Sequence, residues 1–198
     1  WLISVMVALA FPDLPKPVLL PLAIIAGTLA GALYAAIPGY LRAYFGTSEV
    51  IVTIMLNYTM LYISNHMVRN VLTENLGDST PSISENATLR MQSLSSWTGG
   101  SNLNGGLYLA LVALVLVWFV MHKTTLGFEI RSVGLNPFAS EYAGMSSKKN
   151  IILSMVISGG LAGLGGVCEG LGTYNNLFVL GSAPAIGFDG MAVSLLGA

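Results

Sequence analysis

The sequence predicts an all-α polytopic membrane protein: a bundle of transmembrane helices with a broken or re-entrant segment near the C-terminus and one short cytoplasmic helix. Three observations carry that expectation. Charged residues are 9% of the chain and apolar residues 54%, with a mean hydropathy of +0.74, whereas an ordinary soluble domain carries about 25% charge. A soluble chain of 198 residues has too much surface to solvate with so few charges, and a bilayer removes that requirement. Apolar runs approaching the roughly 20 residues of a helical span recur along the chain. The last of them is interrupted by Gly181, Pro184, Gly187 and Gly190, which suits a discontinuous helix buried in protein or lining a cavity.

The same composition excludes several classes. A net charge of −1 offers no basic field for nucleic acid. Cys168 alone cannot form an internal disulfide, and no Cys/His cluster has metal-ligand spacing. His66 and His122 stand far apart near helix ends, a structural or interfacial placement. No nucleophile–base–acid set is visible, so the chain is not expected to be an enzyme. The glycine cluster from Gly159 to Gly166 lacks the GxxxxGK[ST] pattern of a phosphate loop, so it is a packing surface. No cofactor and no metal are expected.

In chain order, Trp1 to Phe11 is too short for a span and reads as the tail of one, while Ala198 falls inside another apolar run; both ends are expected to be truncated. Pro12, Pro15 and Pro17 then turn the chain. A second span is expected over 18–38, closing at Pro38-Gly39, with Gly27 and Gly31 as a small-xxx-small pair. The third, 50–68, follows Thr47-Ser48-Glu49, a cap with a carboxylate in the first turn. Further spans are expected over 107–121 and 151–171, and a broken one over 177–198. Together these form a single membrane domain.

Alternating the spans places Arg42, Lys123, Arg131, Lys148 and Lys149 on one side, and Lys16, Arg69 and Arg90 on the other. The first side is then cytoplasmic, which makes 69–106 an external loop and 124–150 a cytoplasmic one.

Within the cytoplasmic loop, Asn136 suits an N-cap, Pro137 the first helical position, and Gly144 a left-handed stop. The helix so bounded is about two turns long and too short to be stable alone. Phe138 and Tyr142 share one face; Ala139 and Ala143 lie on a neighbouring stripe. Such a helix suits docking in a groove of another protein; an amphipathic connector resting on the membrane interface is the alternative.

At this point the chain resembles a known family. LGFEIRSVGLNPFASEYAGM followed by ISGGLAGLGGVCEGLG is similar to the permease subunits of bacterial ABC importers, the group serving branched-chain amino acids, ribose-type sugars and nucleosides. EVIVTIMLNY and GFDGMAVSLLGA are similar to its nucleoside and simple-sugar branch. The resemblance implies a coupling helix in which Asn136, Pro137, Phe138, Ala139, Glu141, Tyr142 and Gly144 face an ATP-binding cassette ATPase. It also implies a second permease subunit, identical or homologous, an external substrate-binding protein, and a place in the bacterial plasma membrane. Nucleosides are the first expected substrates and simple sugars the second.

Polar residues inside apolar runs are candidates for the substrate path, because lipid makes them expensive. Thr53 and Asn57 lie four apart on one helix face; an interhelical hydrogen bond is the other account of Asn57. Glu169 is either interfacial or deep enough to accept hydrogen bonds from a polyhydroxyl substrate. Asp189 is either a path residue or the N-cap of the broken helix. Cys168 reads as an inert small core residue. An ion-coupled secondary transporter of small polar solutes would share the broken helix but would not need a docking helix. A non-transporting scaffold would carry fewer polar residues in its spans.

Overall fold

The computed structural model describes residues 1–73, 77–90 and 104–197. It is helical along most of that length, in the order α1 (Leu2–Ala10), α2 (Lys16–Phe45), α3 (Glu49–Met67), α4 (Gly106–Lys123), α5 (Thr125–Leu135), α6 (Pro137–Tyr142), α7 (Ser147–Cys168) and α8 (Ile186–Leu196). Two π-helical turns, Val68–Leu72 and Glu169–Tyr174, extend α3 and α7. Among the described residues, three helices are long and apolar enough to cross a membrane: α2, α4, and α7 with its π extension. The α3 helix is of comparable length, but Asn57, Asn65, His66 and its hydroxyl residues make it less apolar.

The α2–α7 pair is the spine. Gly27, Gly31, Ala35 and Gly39 recur every four residues on α2 and so form one stripe. Gly159 and Gly163 of α7 sit against it: a Cβ on Gly31 would run into the Gly159 carbonyl oxygen and would lie 2.8 Å from the Gly163 Cα. Without side chains the two backbones approach to contact, where dispersion can hold helices that hydrophobicity cannot in lipid. Further along, Gly39 meets Met155 and Ile152.

The buried core lies at one end of the spine. Leu2, Val5 and Ala8 of α1, Leu19 and Ala23 of α2, Val68, Val167 and Leu171 join Ile83, Ala87, Leu89 and Leu177 there. Elsewhere the helices present Leu, Ile, Val and Phe outward, as lipid-facing surfaces do.

Several boundaries depart from the sequence reading. Pro38 does not end the second helix: α2 runs through Pro21 and Pro38 to Gly46, whose φ of 65° and N–H to the Arg42 carbonyl (3.1 Å) make the stop. An internal proline removes one backbone bond and crowds one carbonyl; the glycine packing on either side of Pro38 outweighs that loss. Ser48 stands at the N-cap of α3 without a side-chain cap bond, and the Glu49 carboxylate pairs with Arg42 at 2.9 Å. Asp189 does not cap α8; Ala185 holds that position, and Asp189 lies in the first turn with its N–H on the Ala185 carbonyl (3.2 Å). The polar stretch before α7, which by sequence reads as a loop, is largely helical, because α5 occupies Thr125–Leu135. Thr124 caps α5 by accepting from the Gly127 N–H at 3.3 Å, and a Cβ on Gly127 would collide with the end of α4 at Met121.

Candidate docking site and membrane path

The α6 helix is bounded as the sequence predicts. Asn136 Oδ1 accepts from the N–H groups of Phe138 and Ala139, both at 3.1 Å, and Pro137 follows as the first helical residue. At the other end Gly144 has φ 84°. Its N–H donates to the Glu141 carbonyl (3.0 Å), and the Met145 N–H donates to the Ser140 carbonyl (2.9 Å). That pair of bonds is the Schellman closure, in which glycine avoids the Cβ cost of the left-handed region.

One face of α6 is pinned. Ser140, 4% exposed, donates to the Asn136 carbonyl at 2.9 Å, and the Ser147 hydroxyl donates to the Pro137 carbonyl at 3.0 Å. Behind them Asn150, 2% exposed, donates to the Glu129 carboxylate of α5 and to the Ser146 carbonyl, each at 3.1 Å. These bonds tie α5, α6 and the start of α7 into one corner. Lys148 of α7 lies 5.1 Å over the Tyr44 ring and fastens the corner to the end of α2.

Among the described residues, the opposite face of α6 has no such partners. Phe138 is 78% exposed and Tyr142 96%; Ala139 and Glu141 are exposed beside them. Leu135, 89% exposed, adds a third apolar side chain that the sequence reading missed. Its signal is positional: an apolar residue just before an N-cap normally packs on the fourth helical residue, and here that residue is Ser140. With no staple to make, Leu135 stays outward. A rigid corner presenting Leu135, Phe138 and Tyr142 has the anatomy of an interface anchor, large side chains held in one geometry before contact.

The in-span polar candidates are not brought together. Asn57 is on the exposed side of α3, while the Thr53 hydroxyl donates back to the Val50 carbonyl at 3.1 Å. Glu169 opens the π turn after α7 and is half-buried; Asp189 is exposed on α8. No hydrogen bond joins any two of these four among the described residues. Cys168 is half-buried against Gly106, where a Cβ on the glycine would lie 3.1 Å from its sulfur. Its neighbours line an apolar cleft of about 620 Å³ between α4 and α7. Among the described residues, no group of three His, Cys, Asp or Glu side chains could hold a metal ion.

Lipid-length apolar helices joined by a glycine spine, with a pinned amphipathic corner at one end, define an all-α polytopic membrane protein. The chain belongs to the family described as the branched-chain amino acid transport system / permease component, whose model matches residues 1–198. It is 52% identical over 202 residues to the nucleoside ABC transporter permease protein NupB of Lactococcus lactis subsp. cremoris, with 100% of this chain and 56% of that protein covered. It is 50% identical over 197 residues to the guanosine ABC transporter permease protein NupP of Bacillus subtilis, with the same coverage of 100% and 56%. The glucose ABC transporter permease protein TsgB13 of Haloferax volcanii is 31% identical, with 93% of this chain and 50% of that protein covered. The chain thus spans about half the length of the curated relatives it matches. No solved structure matches it. Its relatives and its apolar helices place it in the inner membrane as a multi-pass protein.

Proposed function

We propose that the whole protein is the permease subunit of an ATP-driven importer of nucleosides, and that this chain forms part of the translocation path. The observation that carries the reading is identity of about one residue in two, across all of this chain, to permeases named for nucleosides and for guanosine. Simple sugars are the second substrate class, supported by the more distant glucose permease. The chain is a transport component and not an enzyme; ATP hydrolysis belongs to separate ATP-binding cassette subunits. The exposed stripe of Leu135, Phe138 and Tyr142 on the pinned α6 corner supports the assignment of α6 as the coupling helix against such an ATPase. A second permease and an external substrate-binding protein complete the assembly. Thr53, Asn57, Glu169 and Asp189 are assigned to the path because each puts a polar group in or beside an apolar helix.

The orientation follows from the distribution of basic residues, with the α6 corner cytoplasmic and residues 77–90 external. Single cysteines replacing Glu85 and Ser146 in intact cells test it: an impermeant thiol reagent should label position 85 and spare 146. Function is tested with the full-length permease, its ATPase and its binding protein in proteoliposomes. Guanosine should stimulate ATP hydrolysis and accumulate inside, and glucose should not. Stimulation by glucose alone would move the substrate to sugars. Accumulation driven by an ion gradient without ATP would overturn the importer reading.

A further inference from the structure

Residues 177–185, between the π turn Glu169–Tyr174 and α8, are not helical, yet the first four of them are tightly held. The Leu177 N–H donates to the Thr80 hydroxyl at 3.0 Å, and the Leu177 carbonyl accepts from the Thr80 N–H at 2.8 Å. The Val179 N–H donates to the Asp78 carbonyl at 2.8 Å. Leu180 is held by a side chain: Asn65 of α3 donates its amide N–H to the Leu180 carbonyl at 2.8 Å, and its amide oxygen accepts from the Leu180 N–H at 3.0 Å. One amide thus satisfies both backbone groups of a residue, as a neighbouring strand would.

Beyond Leu180 the restraint ends. A Cβ on Gly181, Gly187 or Gly190 would meet nothing within 4 Å, and α8 has no buried residue. Among the described residues, then, packing does not fix where α8 starts. Its placement is inherited from Leu180, which α3 holds directly through Asn65 and which residues 78–80 hold through its neighbours Leu177 and Val179. The α3 helix carries Thr53 and Asn57, and α8 carries Asp189.

We propose that Asn65 is a positioning residue for transport: its paired hydrogen bonds to Leu180 set the register between α3 and the short helix α8, two of the elements that carry residues assigned to the path. The proposal rests on the permease reading above. Asn65 touches no substrate in this account. It acts through the backbone of Leu180.

The variants are made in the full-length permease, assembled with its ATPase and binding protein in proteoliposomes. Asn65→Leu keeps the branched shape and the number of side-chain heavy atoms and removes both bonds. It should raise the KM for guanosine about tenfold, the factor that corresponds to losing one to two net hydrogen bonds, with an unchanged amount of folded permease. Asn65→Asp is the sharper variant. As a carboxylate at about pH 7.5 it can accept from the Leu180 N–H but faces the Leu180 carbonyl without a proton; protonated in acid, it reproduces both bonds of the amide. Its KM should therefore rise at neutral pH, where a carboxyl with an ordinary pKa of about 3.9 is ionised, and fall back toward the wild-type value only as the pH drops to about 4 and below, with wild type run at each pH to carry any contribution of His66, Arg69 and Asp78.

A substrate-independent measurement stands beside these. Leu177 is 1% exposed, so in a Cys168→Ser background Leu177→Cys should resist an impermeant maleimide. Adding Asn65→Leu should speed that labelling about tenfold or more as the strand lifts. Unchanged labelling together with an unchanged KM in both variants would overturn the proposal, as would a loss of folded protein with KM constant. If wild type does not take up guanosine, the substrate reading fails, and the labelling result still decides the role of Asn65.

Discussion

The two ends of the α2–α7 spine treat aromatic side chains in opposite ways. At one end Trp1 stacks on Tyr174 (5.4 Å between centroids) and meets Phe178 edge-on (5.1 Å), while its indole N–H donates to the Asn176 carbonyl at 3.1 Å. Residues 77–90 close over that cluster, with the Ile83 N–H on the Asn175 carbonyl and the Leu89 N–H on the Leu171 carbonyl, both 2.8 Å. Arg90 adds a bond to the Thr173 carbonyl at 2.9 Å. At the other end Phe138 and Tyr142 are held outward on a helix that turns Ser140 inward and leaves Glu141 exposed beside them. The first end is covered by the chain's own residues 77–90. The second is rigid but uncovered, which is the state expected of a surface that meets a partner.

The comparison breaks first if the spine joining the ends is less tight than described. Gly31→Leu forces a side chain into the Gly159 and Gly163 backbones and should cost about 3 kcal/mol or more. Almost no monodisperse permease should then survive detergent extraction and size-exclusion chromatography. Gly165→Ala, on the same α7 helix but facing open space, should extract like wild type. Equal yields for the two would mean that the helices are not in backbone contact.

Thr80→Val probes the closed end. The Leu177 N–H loses its buried acceptor, a loss of about 1–3 kcal/mol, which should lower the melting temperature of the purified permease while leaving ATPase co-purification intact. Asn136→Ala probes the open end. Removing the cap costs about 1 kcal/mol, borne by α6 alone, so the melting temperature should hold while substrate-stimulated ATP hydrolysis falls. If the two variants exchange phenotypes, the division between a self-contained end and a docking end is wrong.

The smallest expected effect on stability is that of Asn57→Ala, within about 0.5 kcal/mol for an exposed side chain. Uptake should nevertheless fall by more than the amount of folded permease does. A parallel fall in uptake and folded amount, measured in the same cells, would make Asn57 a packing residue of the helix bundle.

Local chemistry explains what the sequence makes legible. The capping sequence from Asn136 to Gly144 places every terminal hydrogen bond of α6 within a few residues, so its limits can be read directly. The Gly27/Gly31 spacing likewise announces a close helix contact. What stays hidden depends on distant partners. Pro38 reads as a terminator until α7 is seen packed beside it. α5 is masked because its residues are too polar to signal a span and too few to show a clear period. The pairing of Asn65 with Leu180 spans 115 positions in sequence, and nothing near either residue announces it. The path candidates are legible only as polar residues in or beside apolar runs, with Thr53 and Asn57 on one helix face, and among the described residues the fold does not gather Thr53, Asn57, Glu169 and Asp189 into one cluster.

In the proposed importer, the uncovered face of α6 transmits ATP hydrolysis to the membrane helices. The direct measurement is ATPase co-purification and guanosine-stimulated ATP hydrolysis in the reconstituted full-length complex carrying Phe138→Ala and Tyr142→Ala. Aromatic anchors in a buried pocket commonly contribute about 2 kcal/mol or more each. The double variant should therefore lose the ATPase and the stimulation while inserting and melting as wild type does, because both side chains are exposed in the chain itself. Co-purification and stimulation at wild-type levels in that variant would contradict the account.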